Sequence, residues 1–187
     1  MKVIQTGDPD VCARCAGQGP TCCRISPGNE EHCFPISPRE KERIREAVPF
    51  TGGFVPEPNS AAFRNNLCNL FPGEGRVLAE LFPDDDEHYR LALDSTGACR
   101  FLGPAGCEIP VEVRPYFCRI FPFWVVGDTV TFFDSPFCLA RREGRNLGPM
   151  LDLFGLTRAR VRDLYGRLRL VWGLPPAKGM RKVTKTF

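Results

Sequence analysis

At 187 residues and 43% hydrophobic, the chain can bury one sizeable core, which predicts a single domain with short extensions. Eighteen Gly and eighteen Pro predict short elements joined by many loops, and ten Cys exceed ordinary usage without reaching the density of a small secreted disulfide scaffold. The net charge of +3 is unevenly spread: residues 1–140 carry thirteen Lys/Arg against nineteen Asp/Glu, and residues 141–187 carry twelve against three. The opening "MKVIQTGDPD" has no apolar core of a secretory leader, and the most apolar stretch, "FPFWVV" from Phe121, is far too short to span a bilayer. The expected compartment is therefore the cytoplasm, with no membrane partner. Thiols stay reduced there, and clustered cysteines are more often metal ligands than disulfides.

Taken in order, residues 1–36 show neither helical nor strand period and read as a loop around the first cysteines. A helix is predicted from "SPREKERIREAV", with Ser37 as N-cap, Pro38 at the first helical position, Glu40 completing a capping box, and a stop before Pro49. "TGGFVPEPNS" (51–60) reads as a linker or surface loop, and helices follow at about 60–70 and 75–82, each closed by a Phe-Pro pair. The run "DDDE" (84–87) is a solvated turn. "YRLAL" alternates as a strand, "DSTG" turns, "CRFL" continues as a strand, and "FWVVGDTVTFFD" is a hairpin turning at Gly127-Asp128. Between them, Pro110, Pro115 and Pro122 keep regular structure short. Leu147, Met150, Leu151 and Phe154 recur at helical spacing. After Gly155, Thr157 can cap a second helix, whose stripe of Val161, Leu164, Tyr165, Leu168, Val171 and Trp172 is a core face. The basic end "KGMRKVTKTF" is uncapped and expected to fray. The organisation expected is a cysteine domain over 1–140, a basic helical segment over 141–175 packed on it, and a basic tail over 176–187.

The chemistry lies in the cysteines. Cys12 and Cys15 have the CxxC spacing that aims two thiolates at one metal. Cys99 and Cys107 bracket "CRFLGPAGC", where Gly97 and Gly106 create turns whose N–H groups can donate to sulfur, and Cys118 and Cys138 flank the hairpin. The adjacent pair Cys22-Cys23 is expected to diverge, since neighbouring side chains in extended backbone point to opposite sides, so that the two serve different sites. A strained vicinal disulfide is the alternative.

CxxC, then CC, then "CEIPVEVRPYFCRIFPF" and a late Cys resembles the YkgJ-like, or CxxCxxCC, cysteine-cluster family. That resemblance implies a zinc- or iron-chelating domain whose metal ligands are Cys12, Cys15, Cys22, Cys23, Cys99, Cys107, Cys118 and Cys138, accompanied by Arg114, Pro115, Arg119 and Pro122. It spans residues 12 to about 138. The Cys15–Cys22 gap is longer than in the family motif, and "FCLARREG" around Cys138 departs from its usual Cys-Pro-Gly. Cys33 and Cys68 are additional and read as plain buried thiols; His32 and His88 read as non-ligands.

Eight thiolates suffice for two closed four-cysteine zinc sites or for iron–sulfur clusters. Either centre, held by four thiolates, carries about −2, and the guanidiniums of Arg114 and Arg119 would offset that charge. The basic C-terminal segment would be a counter-charge to the acidic head. It lacks the aromatic interleaving of single-strand binders, which points away from nucleic acid. Searched for catalytic patterns, the chain shows no GxGxxG, Walker A, HExxH or GxSxG motif. The expectation is an α+β fold, small, irregular and cysteine-clamped, with short β-hairpins and C-terminal helices. It chelates zinc as a structural or interaction module with a protein partner. The alternative is an iron or [4Fe–4S] protein with redox or S-adenosylmethionine-dependent methyl-transfer chemistry, since similar cysteine signatures occur in the flagellin lysine-N-methylase family; whether the chain is an enzyme stays open.

Overall fold

The capping box forms in full. Helix α2 (Pro38–Ala47) begins at Ser37, whose side chain accepts from the Glu40 N–H while the Glu40 carboxylate accepts from the Ser37 N–H. It ends at Val48, just before Pro49. This computed structural model describes residues 11–19, 21–49 and 52–177. Among them it is a mixed α+β protein with eight helices, one 3-10 turn and three antiparallel two-stranded sheets.

Helices α3 (Ala61–Leu70) and α4 (Gly75–Leu81) fall where the spacing predicts, ending at Phe71 and Phe82 ahead of their prolines. Ser60 caps α3 by accepting from the Phe63 N–H at 3.1 Å. Between α2 and α3 the structure departs from the expected linker: residues Phe54–Pro58 form strand β1, paired antiparallel with β2 (Glu87–Leu91). Two prolines in five residues hide that strand. They occupy alternate positions, opposite Tyr89 and Glu87, so the ladder is carried by Val55 and Glu57, and no donor facing β2 is lost. The acidic turn at Asp84–Asp86 is exposed as expected.

Beyond β2, "CRFL" is less regular than predicted. Cys99 bridges Leu93, and only the two-residue strands β3 (Leu102–Gly103) and β4 (Gly106–Cys107) pair there. Helix α5 (Tyr116–Ile120) is a single turn entered through Pro115. The hairpin β5 (Phe123–Val126) and β6 (Thr129–Phe132) turns at Gly127-Asp128, with Gly127 at φ 56°.

The C-terminal helices are α6 (Leu139–Gly144), α7 (Leu147–Leu153) and α8 (Arg158–Trp172). Thr157 caps α8 through the Arg160 N–H. Five stripe positions, Val161, Leu164, Tyr165, Leu168 and Trp172, are buried against α5, the hairpin and α3–α4. At about 1.5–3 kcal/mol for each such side chain, this burial is on the order of 10 kcal/mol before entropy. The exposed Arg160–Asp163 pair adds at most about 1 kcal/mol, so the apolar stripe is what docks the helix. One arginine of α8 is not a solvated charge: Arg169, 2% exposed, grips the Glu74 carboxylate through both Nη atoms at 2.7 Å and donates to the Pro175 carbonyl.

The N-terminal expectation needs correction. Residues Val11–Gly17 form helix α1, and Glu30–His32 form the 3-10 turn, so the first CxxC lies on a helix and not in a loop. A seven-residue helix is too short to hold by itself. It is held by packing on β4 and α6, where Gly106, at φ 99°, leaves room for Ala13; a Cβ on Gly106 would lie 3.2 Å from the Ala13 Cα. The tail from Lys178 lies outside the described residues. No described helix is long and apolar enough to cross a membrane.

Candidate functional site

Four stretches of chain meet around one cavity of about 250 Å³. Helix α1 with the loop after it brings Cys12, Cys15, Cys22 and Cys23; the β3–β4 region brings Cys99 and Cys107; α5 brings Cys118; and the residue capping α6 is Cys138. All eight cysteines expected to act together line this cavity. A ninth, Cys33, read from sequence as an additional plain thiol, lines it too. Cys68 does not join them: it is exposed on α3, against Gly75. All ten cysteines are free thiols.

The local folding that delivers each thiol can be followed. In α1, Cys12 and Cys15 are three residues apart and share one face. Cys15 packs with Val11, Leu139 and Ala140, and its Sγ lies 3.6 Å from the Phe137 carbonyl, which ties α1 to the start of α6. The Cys99 N–H donates to the Cys23 carbonyl at 2.9 Å and the Ile25 N–H to the Gly97 carbonyl at 2.8 Å, so the CC segment runs beside the "GAC" turn. Gly97 makes this possible. Its φ is 78°, and any Cβ there would collide with the Ile25 carbonyl oxygen.

Cys118 is held by a device that the sequence pattern does not reveal. The Glu40 carboxylate, 1% exposed, caps α2 with one oxygen and with the other accepts from the Tyr116 N–H at 2.8 Å, at the start of α5. Arg43, one turn further along α2, donates to the carbonyls of Val113 and Arg114. The "RPYFC" segment is thereby pinned to α2 from two positions.

The thiols act on one another across the cavity: Cys12 feels Cys23 and Cys138, Cys22 feels Cys23, Cys138 and Cys12, and Cys99, Cys107 and Cys118 each feel Cys23. The late Cys138 thus stands near the N-terminal thiols, and Cys23 is the thiol common to the early and the later ones. Cys33 stands near Cys99. The adjacent Cys22 and Cys23 interact through their thiols, and beyond that they have different neighbours: Cys22 feels Cys138 and Cys12, and Cys23 the Thr21 hydroxyl and Arg114.

Burial pushes the Cys12 thiol up to about 11, with repulsion from Cys23 adding to it, and pushes Cys33 to about 11 and Cys99 to about 12. Cys107, Cys118 and Cys138 are raised chiefly by the same desolvation. Cys118 has accessible area and yet is surrounded by protein, because the area it exposes belongs to the cavity wall. Cys22 is raised by its hydrogen bond to Cys23 and then by burial, and Cys23 is lowered by that same bond, with help from the Thr21 hydroxyl and Arg114. Cys23 is thus where a thiolate is best stabilised.

Arg114 lines the cavity, anchored by Nε to the Ile109 carbonyl at 2.8 Å and by Nη2 to the Cys107 carbonyl at 3.3 Å, and its charge acts on Cys12, Cys23 and Cys107. Arg119 does not share this position. Its guanidinium lies over the Tyr116 ring and donates to the Glu112 carbonyl, away from the thiols. His32 is exposed at the cavity rim, with Nδ1 3.1 Å from the Asn66 amide. His88 is buried far from the sulfurs, stacked on Phe63 and bonded through Nδ1 to Asn59 Oδ1.

The donor set suits a thiophilic cation by its chemistry: thiols gathered together, a guanidinium among them, and walls that apart from Thr21 and His32 are otherwise apolar. The side chains are not drawn to one point. Among the described residues no three His, Cys, Asp or Glu side chains stand close enough to grip a single ion. No protein family, curated protein or solved structure matches the chain.

Proposed function

We propose that this chain is a metal-chelating protein that binds zinc or iron through the cavity cysteines in two sets of four. Cys12, Cys15, Cys22 and Cys138 would hold one centre, and Cys23, Cys99, Cys107 and Cys118 the other. The observation that carries this reading is the gathering of all eight thiols, from four separate stretches of chain, around one cavity. Seven of the nine cavity thiols have a raised affinity for protons and are costly neighbours once ionised, and a divalent cation that replaces those protons relieves both repulsion and desolvation. Arg114 offsets part of the negative charge of a four-thiolate centre. Bound zinc supplies cross-links between α1, α6, the β3–β4 region and α5, in a structural or interaction module that meets a protein partner in the reducing cytoplasm.

One feature favours the second reading, an iron–sulfur protein with redox or S-adenosylmethionine-linked activity: both thiol sets open on a single roomy cavity, where closed zinc sites need only sulfur. Elemental analysis of protein purified without oxygen, with its visible spectrum, separates the two. About two zinc per chain and no colour support the structural module. Several irons with matching sulfide and broad visible absorption support the cluster protein. Metal-free protein that takes up neither ion on anaerobic reconstitution refutes chelation altogether.

A further inference from the structure

A second cavity, of about 260 Å³, adjoins the thiol cavity, and of the gathered thiols only Cys33 reaches it. Helix α3 lines it with Phe63, Leu67 and Leu70, and Phe117, Phe121 and Phe133 line it from α5 and the segments that follow α5 and β6. His32, Cys33, Phe34, Phe117 and Phe121 border both cavities. Phe34 and Phe117 are stacked, their ring planes within 13° of parallel.

Four of these rings, Phe34, Phe117, Phe121 and Phe133, are only half-buried. Close packing fills hollows with the protein's own side chains, so four half-covered rings around one hollow leave apolar area for an occupant. Aromatic rings favour another ring as partner, offset-stacked or edge-on, beyond the area that they bury. Polar groups stand among the same lining residues. Asn66 Nδ2 donates to the Glu31 carbonyl at 3.2 Å and to His32 Nδ1 at 3.1 Å, which places the proton of the neutral imidazole on Nε2. That N–H is a donor beside an acceptor, the Glu31 carboxylate, and neither has a protein hydrogen-bond partner among the described residues. Such a pair matches one group that both accepts and donates. No Lys or Arg lines the cavity among the described residues, so an anionic ligand would find no counter-charge there.

We propose that this cavity binds a planar aromatic molecule of one or two fused rings whose edge both donates and accepts, through a hydroxyl or through an amino group beside a ring nitrogen. The rings lie among the four phenylalanines, and the polar edge meets His32 and Glu31. An apolar cavity of about 150 Å³ holds benzene, so about 260 Å³ admits a second ring. This site goes beyond chelation and does not need a metal.

The test uses the full chain, purified without oxygen and titrated calorimetrically at pH 7.5 with 2-naphthol, 2-aminoquinoline, naphthalene and decahydro-2-naphthol. One-to-one binding of 2-naphthol or 2-aminoquinoline with Kd of about 10–100 μM is expected, and the tighter of the two identifies the polar edge. Naphthalene lacks that edge and decahydro-2-naphthol lacks the flat face, so each should bind about tenfold more weakly. Glu31→Ala should weaken 2-naphthol about tenfold and leave naphthalene unchanged. Phe133→Leu, at a residue that lines this cavity and not the thiol cavity, should narrow the preference for the flat ring, with thermal unfolding showing that the variant is folded. Metal content measured in the same preparations separates this site from the thiols: affinity should be the same with and without metal. Absence of saturable binding overturns the inference. So does decahydro-2-naphthol or naphthalene binding as tightly as 2-naphthol, binding that both variants leave unchanged, or binding that rises and falls with metal content.

Discussion

Replacing Glu40 tests how the thiol cavity is held to the rest of the fold. The carboxylate accepts three hydrogen bonds, from the Ser37 N–H at 3.0 Å, the Ser37 hydroxyl at 2.8 Å and the Tyr116 N–H at 2.8 Å. Bonds to a charged acceptor contribute about 1.5–3 kcal/mol each but overlap here, and Glu40→Ala strands two buried N–H groups at about 1–3 kcal/mol apiece. A destabilisation of roughly 4 kcal/mol follows, which for a chain of this size lowers Tm by about 8–16 °C. Glu40→Gln keeps one acceptor oxygen but turns an amide NH2 toward the other donor, so roughly 2 kcal/mol is expected. Urea unfolding of each variant beside Ser37→Ala gives the comparison. Ser37→Ala removes only the cap, worth about 1 kcal/mol. If Glu40→Ala costs no more than Ser37→Ala, the bond to Tyr116 contributes nothing and α5 is not anchored as argued. The destabilisation should also fall first on the cavity, because Tyr116 starts the helix that carries Cys118; faster modification of thiols in Glu40→Gln, at urea concentrations well below its midpoint, would show it.

His88 predicts a specific acid lability. Burial, and then the charge of Arg90, lower its pKa from 6.5 to about 4, so the unfolded chain binds the proton first as pH falls. Stability contributed by the neutral ring is complete above about 6.5 and is lost between there and 4, by roughly 2 kcal/mol after allowance for partial solvation; His88→Asn should unfold with a smaller pH dependence over that window, and an unchanged dependence would assign it to carboxylates. Cys22→Ser and Cys23→Ser should lose metal from different centres, seen as distinct changes in stoichiometry or spectrum; identical losses contradict the two-set arrangement. Gly97→Ala should be strongly destabilising, by about 2 kcal/mol or more, from the positive φ and the collision with Ile25 together, whereas Gly127→Ala, at φ 56° but in open space, meets only the backbone term; equal losses at the two sites would remove the packing argument.

What the sequence determined by itself is local. Ser37 and Glu40 mark a helix start because both halves of the capping box lie within four residues. The Phe-Pro closures of α3 and α4, the Gly127-Asp128 turn and the stripe of α8 are equally short-range, set by backbone sterics and by a period that needs no partner to be read. The eight cysteines were legible as a group from their spacing and signature.

The tertiary structure decided everything that depends on a distant partner. β1 exists because residues 87–91 lie alongside it, and α1 because Gly106 and the start of α6 give it a surface; neither segment could state this alone. Cys33 reaches the cavity through the path of the chain after the 3-10 turn and not through any spacing rule. Glu40 reads as a cap in sequence, and only packing brings its second oxygen to Tyr116. Arg114 and Arg119, five residues apart and alike in sequence, are sent to different tasks because Arg114 precedes α5 and is held on the Ile109 and Cys107 carbonyls beside the thiols, whereas Arg119 lies within α5 and folds over the Tyr116 ring. Local pattern fixes where an element begins and which face is apolar; the company each polar group keeps is fixed only when that face is buried.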